Sequence, residues 1–409
     1  MADVVVIGGG AAGMLAAGQA SARGLSTLLL EPNRQLGRKL RITGKGRCNL
    51  TNSCDIKDFL ANVPQNGKFL FGAANRLSPA DTMLLFENMG LKLKVERGNR
   101  VFPISDDANE VAGILEKYAL DSGAAVKKIK AIEVITNGGC VRSVKTSDGE
   151  IPCKNVIIAT GGASYPATGS TGDGWRMVQK LGHTIVPPRA SLVPLEATGD
   201  TCTELMGLSL RNVAITVFEN DKAIYKDSGE LLFTHFGVSG PLILSASAHM
   251  RHFDICRYRI DIDLKPALDE QTLDRRLISD FDKFKNSDFI NALGDLLPKK
   301  LIPVAVRMSK IDPRIKVNSI TKEQRFELLK VLKSFSIEIA GTRPMSEAII
   351  TSGGVSVKEI DPKTMQSKLV SGLYFAGEVI DVDAYTGGFN LQIAWSTAYT
   401  AANSIEYQH

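Results

Sequence analysis

Asp3-Val4-Val5-Val6-Ile7 is an apolar run without alternation near the start of the chain. That pattern suits a strand buried on both faces of a parallel sheet. It runs into Gly8-Gly9-Gly10-Ala11-Ala12-Gly13, and the alanine-rich stretch to about Arg23 predicts a helix that Gly24 ends. Ser26–Leu30 reads as a second buried strand, closing on Glu31. Two further apolar runs, at Val156–Ala159 and Leu373–Ala376, end in Thr160-Gly161-Gly162 and Gly377-Glu378. After the second, Gly387-Gly388 open a helix to about Ser404. The middle of the chain keeps a different period. Ala214–Phe218, Lys222–Tyr225 and Tyr258–Leu264 are β-like, and Ile260, Ile262 and Leu264 alternate with Arg259, Asp261 and Asp263. From Asp269 the apolar spacing becomes helical through Leu273, Leu277, Ile278, Phe281 and Phe284. Pro266, Pro298, Pro303 and Pro313 cut this section into short helices, and Lys333–Ala340 returns to a strand pattern.

These elements predict an α/β protein: a Rossmann-like dinucleotide domain of the glutathione-reductase type, with an inserted β-barrel and a small helical subdomain. A length of 409 residues calls for two or three domains. The boundaries read as 1–188 plus 344–409 for the dinucleotide domain, 189–265 plus 331–343 for the barrel, which takes the substrate, and 266–330 for the helical piece. Pro187-Pro188 is the expected exit from the first domain.

With 44% hydrophobic and 23% charged residues, the chain is neither disordered nor fibrous. A net charge of +5, without a run of five Lys or Arg, does not demand nucleic acid as a partner. The apolar runs are strand-length, so no membrane span is expected. The first run leads straight into glycines with no basic leader before it, so it reads as structure. Cys48, Cys54, Cys140, Cys153, Cys202 and Cys256 are scattered and form no disulfide framework, which fits a reducing cytoplasm.

The chemistry starts at Gly8, Gly10 and Gly13, which match G-x-G-x-x-G between a strand and a helix. Gly8 permits the tight turn, Gly10 lets a pyrophosphate approach the backbone, and Gly13 lets helix and strand pack closely. The amides around Ala11 and Ala12 would face the phosphates, and Glu31 stands where a ribose hydroxyl acceptor belongs. In an NAD domain the chain should then go promptly to another helix and strand. Instead a donor-rich loop follows, with Arg38, Lys39, Gly44, Gly46, Arg47, Cys48, Asn49 and Thr51. Such a loop can wrap a second phosphate and a flavin edge. Far downstream, Gly377, Glu378, Asp381 and the helix opening at Gly388, Asn390, Leu391 and Gln392 would offer donors to the flavin pyrimidine. Thr160, Gly161 and Gly162 bring chain back beside the same molecule. The expected cofactor is FAD.

No second glycine fingerprint stands mid-chain, so no dedicated NAD(P)H domain is expected. A small or medium organic substrate meets the flavin directly, with dioxygen or NAD(P)H as co-substrate. Tyr165 and Tyr385 flank the ring as catalysts or as lids. His235 is either a donor to substrate or a turn residue bonded to backbone. Cys48 and Cys54 are too far apart for the usual flavin dithiol and read as ordinary thiols. His249 and His252 are the only His pair at ligand spacing and have no cysteine near them in sequence, so no metal is expected. The basic residues from Lys299 to Lys333 read as a solvated helical surface, with RNA binding as the alternative.

Several motifs recur together: Thr43–Asn52, Arg100–Pro103, Leu232–Pro241, and Gly353-Gly354-Val355 with Thr364, Met365, Ser367 and Lys368. In these the chain resembles, over nearly its whole length, a bacterial flavoprotein family that includes aminoacetone oxidase and a bile-acid dehydro-intermediate reductase. The resemblance implies an FAD domain interrupted by a barrel and a helical subdomain, and either an amine oxidase or a reductase of an activated double bond. Ala394-Trp395-Ser396-Thr397-Ala398 departs from the Ser-Ser-Gly that members tend to carry. Other readings left open are an RNA-associated flavoprotein and a non-catalytic FAD-binding protein.

Overall fold

In a computed structural model, which describes residues 1–406, the chain divides into two units. One takes residues 1–191 and resumes at 344; the other is 192–343. In the first unit β1 (Ala2–Ile7) runs into α1 (Ala11–Ala22) and returns as β2 (Thr27–Leu30). The sheet continues with β3 (Ala125–Lys127), β4 (Ala131–Asn137), β5 (Cys140–Thr146), β6 (Gly149–Ile158) and β7 (Leu373–Phe375). Its order is β3-β2-β1-β6-β5-β4, with β7 also on β6.

β6 explains how the two ends of the chain meet. Its first residues pair antiparallel with β5, whereas its last ones lie parallel between β1 and β7. Val156 stands opposite both Val5 and Leu373. With neighbours on both edges and helices on the faces, Val4, Val5, Val6, Val156 and Ile157 have no exposed surface, which is why these runs do not alternate. α1 is lined with Ala16, Ala17 and Ala20 and packs against α2 (Phe389–Ser404).

Pro187 and Pro188 lie inside a strand, Ile185–Ser191, which pairs antiparallel with Ile350–Val355. The sheet accommodates them because the register shifts between Val186 and Arg189, so the two residues that lack an N–H fall at the irregularity. Gly353 lies against them: a Cβ there would stand 2.6 Å from the Pro187 carbonyl oxygen.

The second unit is a closed barrel of six strands. Tyr258, Ile260 and Ile262 point into its core and alternate with half-exposed Arg259, Asp261 and Asp263. Three helices, Glu270–Lys283, Ile302–Ser309 and Lys322–Lys333, fill the stretch before the closing strand Phe335–Thr342. They pack through Leu273, Leu277, Phe281, Val304 and Leu328. Among the described residues no helix is long and apolar enough to cross a membrane.

His183 is buried against Phe375 of β7. Its Nδ1 lies 3.1 Å from Glu359 Oε2 and its Nε2 2.9 Å from Ser367 Oγ, with the ring edge-on to Phe375. Ser367 Oγ already accepts the N–H groups of Leu369 and Val370, so its own proton goes to Nε2 and the histidine carries its proton on Nδ1. Ser367 Oγ thus ties the turn at Leu369 and Val370 to the His183 ring. Burial holds His183 below its ordinary pKa, against the pull of Glu359. The unfolded chain gains a proton near pH ~6.5 and the folded chain only lower. The stability from a neutral His183 is thus complete above that pH and is lost as the pH falls through it. Urea midpoints measured at pH 7.5 and 5.5 should drop more for the wild type than for His183→Gln. Equal drops would contradict this.

Candidate dinucleotide site

The glycine turn is built by close approach. Gly8 has φ 107°, and a Cβ there would lie 2.5 Å from the Ala159 carbonyl oxygen. A Cβ on Gly13 would come within 1.7 Å of the Gly8 carbonyl oxygen, so α1 sits directly on the turn. Gly10, at the N-cap of α1, is different: a Cβ there would meet nothing within 4 Å. That open space next to the first-turn amides at Ala11 and Ala12 suits a pyrophosphate. Glu31 lies alongside, its Oε2 accepting the Gly9 N–H at 2.8 Å.

A second constellation gathers segments far apart in sequence. Glu378 Oε2 lies 2.7 Å from Lys39 Nζ, and its Oε1 accepts the Thr351 N–H at 2.8 Å and the Ser164 hydroxyl at 3.0 Å. Thr351 Oγ1 in turn accepts the N–H groups of Ala163 and Ser164. Gly161 has φ 71°, and a Cβ on Gly162 would fall 2.5 Å from Thr351 Oγ1. Tyr165 is half-buried at φ 53°, with Lys39 Nζ 6.0 Å from its ring centre. Thr160 Oγ1 is buried and has no hydrogen-bond partner among the described residues. A Cβ on Gly377 would stand 3.0 Å from that of Ala12, so the C-terminal segment meets the first turn of α1.

The loop from Thr43 to Asn52 meets the start of α2. Gly44, Lys45, Gly46 and Cys48 all have positive φ, a left-handed course that the glycines make cheap. With its amide oriented to satisfy both ends, Asn49 accepts the Gly388 N–H at 2.9 Å and donates to the Thr51 and Val101 carbonyls. Asn52 Nδ2 donates to the Gly387 carbonyl at 3.1 Å. Asn390 fastens the Ala384–Tyr385 turn through Ala384 N–H and both carbonyls, which leaves Tyr385 and Leu391 half-buried beside it. Asp381 is buried and accepts from Asn66 Nδ2 at 3.0 Å.

Other expected site residues have protein partners of their own. Gln392 is fully buried: Oε1 accepts from Thr51 Oγ1, while Nε2 donates to the Leu77 carbonyl, Thr82 Oγ1 and Ser396 Oγ. Arg47 pairs with Glu96 and Asp106 and lies 4.2 Å over the Phe102 ring. Arg38 donates to Asn33 Oδ1 at 2.8 Å. Cys48 is buried, and burial pushes its thiol up to about 12; Cys54 is pushed up to about 11. His235 belongs to the second unit, exposed and edge-on to Phe236 at 5.0 Å, while its carbonyl accepts from Thr203 Oγ1. Among the described residues no group of His, Cys, Asp and Glu is arranged to hold a metal ion. Ser164, Thr351 and Asn33 were missed by sequence reasoning. Ser164 follows the Gly-Gly turn and was within reach, whereas Thr351 acquires its role only through tertiary contacts.

Two outcomes test this geometry. Glu378→Ala should raise the FAD dissociation constant about tenfold or more, because Lys39, Ser164 and the Thr351 N–H lose one shared acceptor; unchanged flavin retention on gel filtration would contradict it. Native protein treated with iodoacetamide should label exposed Cys140 and spare Cys48, and Cys48→Ser should leave flavin reduction within about twofold of wild type.

The open space at Gly10, the Glu31 carboxylate, the unpartnered Thr160 hydroxyl and the donor-rich loop fit an adenine dinucleotide. Residues 2–404 match the HI0933-like protein Rossmann domain. A ribosomal RNA dihydrouridine synthase of Haemophilus influenzae is 33% identical over 413 residues, covering 99% of this chain and 98% of that protein. A 3-dehydro-bile acid delta(4,6)-reductase of Clostridium scindens is 28% identical over 416 residues, covering 99% of both. The fold is also that of a 3-ketosteroid delta1-dehydrogenase from Sterolibacterium denitrificans, with a TM-score of 0.52 at 14% identity over 99% of each chain. The chain belongs to the HI0933-like family and is an FAD-dependent oxidoreductase.

Proposed function

We propose that the protein reduces a carbon–carbon double bond conjugated to a carbonyl, in a small or medium organic molecule. FAD, when bound, supplies a hydride carrier at N5. In this reading the first-turn amides of α1 hold the pyrophosphate, Glu31 holds the adenosine ribose, and Glu378 orients the middle of the cofactor. In the same reading the amides at Asn390 and Leu391, in the first turn of α2, would face the pyrimidine edge, while the Gly388 N–H stays with Asn49. Tyr165 and Tyr385, both half-buried in the first unit, are the candidates to deliver a proton to the carbon next to the carbonyl.

The observation that carries this choice is a chemistry shared by two relatives that match over nearly the whole chain. A delta(4,6)-reductase acting on a 3-dehydro bile acid saturates a bond conjugated to a ketone. Making dihydrouridine saturates the uracil bond conjugated to its carbonyl. That supports a reductase over an amine oxidase, with NAD(P)H as a transient reductant. It also favours a second reading, in which the double bond belongs to a uracil within RNA. Against that reading, much of the basic section is neutralised locally: Arg307 pairs with Glu204, Lys316 with Asp288, Arg325 with Asp274, Lys330 with Glu327 and Lys333 with Asp263.

Under anaerobic conditions NADH or NADPH should bleach the flavin band, and a 3-oxo-Δ4 steroid or similar enone should restore it. A uridine-bearing RNA that restores the colour where no enone does, with salt-sensitive binding, would select the second reading. Bleaching by amines, with peroxide formed in air and no reoxidation by enones, would overturn the proposal.

A further inference from the structure

We infer that Asn33 is a positioning residue that sets the Glu31 carboxylate for the adenosine half of FAD. Asn33 approaches Glu31 twice. Its backbone N–H donates to Oε1 at 2.9 Å and its Nδ2 donates to the same oxygen at 2.7 Å. Among the described residues the other oxygen, Oε2, takes only the Gly9 N–H, at 2.8 Å. A carboxylate oxygen accepts about two hydrogen bonds. Oε1 is therefore saturated, and the remaining acceptor capacity lies on Oε2, the oxygen beside the glycine turn. An incoming ribose hydroxyl is thereby directed to one oxygen and one side of the carboxylate.

Asn33 is itself fixed from two directions. Arg38 Nη1 donates to Oδ1 at 2.8 Å, which settles which end of the amide faces Glu31. On the far side Nδ2 lies 3.5 Å from the Thr168 carbonyl oxygen, and a Cβ on Gly169 would come within 2.7 Å of it. The loop after Tyr165 thus backs onto Asn33. The inference rests on Glu31 being the ribose acceptor, and it adds that the acceptor works only when held.

Equilibrium dialysis of FAD, ADP and FMN against the purified, flavin-stripped full chain separates the possibilities, with a thermal melt of each variant alongside. Asn33→Ala should weaken FAD and ADP about tenfold and leave FMN unchanged, since FMN has no adenosine. Asn33→Asp, which sets a second carboxylate against Glu31, should weaken both further. Arg38→Met, a milder surface change, should weaken FAD and ADP severalfold and again spare FMN. Unchanged FAD and ADP binding in the Asn33 variants would overturn the role of Asn33, and so would an equal loss for FMN, which marks general damage. Wild-type protein that binds neither FAD nor ADP would overturn the cofactor assignment along with it.

Discussion

Glu378 receives the Lys39 ammonium, the Ser164 hydroxyl and the Thr351 N–H on its two oxygens, and each donor comes from a different stretch of chain. The Lys39 and Glu378 side chains are about one-fifth exposed. The two further donors to a charged acceptor contribute about 1.5–3 kcal/mol each. Removing Glu378 would leave all three donors without their shared acceptor at once. Glu378 stands directly after β7, whose pairing with β6 sets the C-terminal segment next to the end of β1. Everything argued about the cofactor depends on that meeting of distant segments.

The elements around the glycine turn were legible because local chemistry and global fold agree there. Val4–Ile7, Ser26–Leu30 and Val156–Ala159 read as doubly buried strands and occupy the middle of the sheet. Gly8 and Gly13 could be assigned because only glycine tolerates a 2.5 Å or 1.7 Å approach of another carbonyl to its Cβ position. The barrel was visible through the alternation at Tyr258–Leu264, where one face is buried and one is wet.

What was less legible depends on tertiary contacts. A pair of prolines reads as a break, yet Pro187 and Pro188 sit in a strand because a register shift spares the sheet their missing donors. Gln392 lies in a motif that suggests a ligand, and its amide is spent on Thr51, Leu77, Thr82 and Ser396. Arg47 sits in a donor-rich loop, and Glu96 and Asp106 from outside that loop take up its charge. A motif gives residue types in order; it does not give the partners that fold against them.

Amide hydrogen exchange of the full chain, with and without FAD, tests the meeting of the two ends most directly. The account predicts that Gly10–Gly13, Thr43–Thr51 and Gly377–Leu391 become protected together, with the same dependence on FAD concentration. Protection confined to the N-terminal turn, with the 377–391 segment unaffected at saturation, would contradict it.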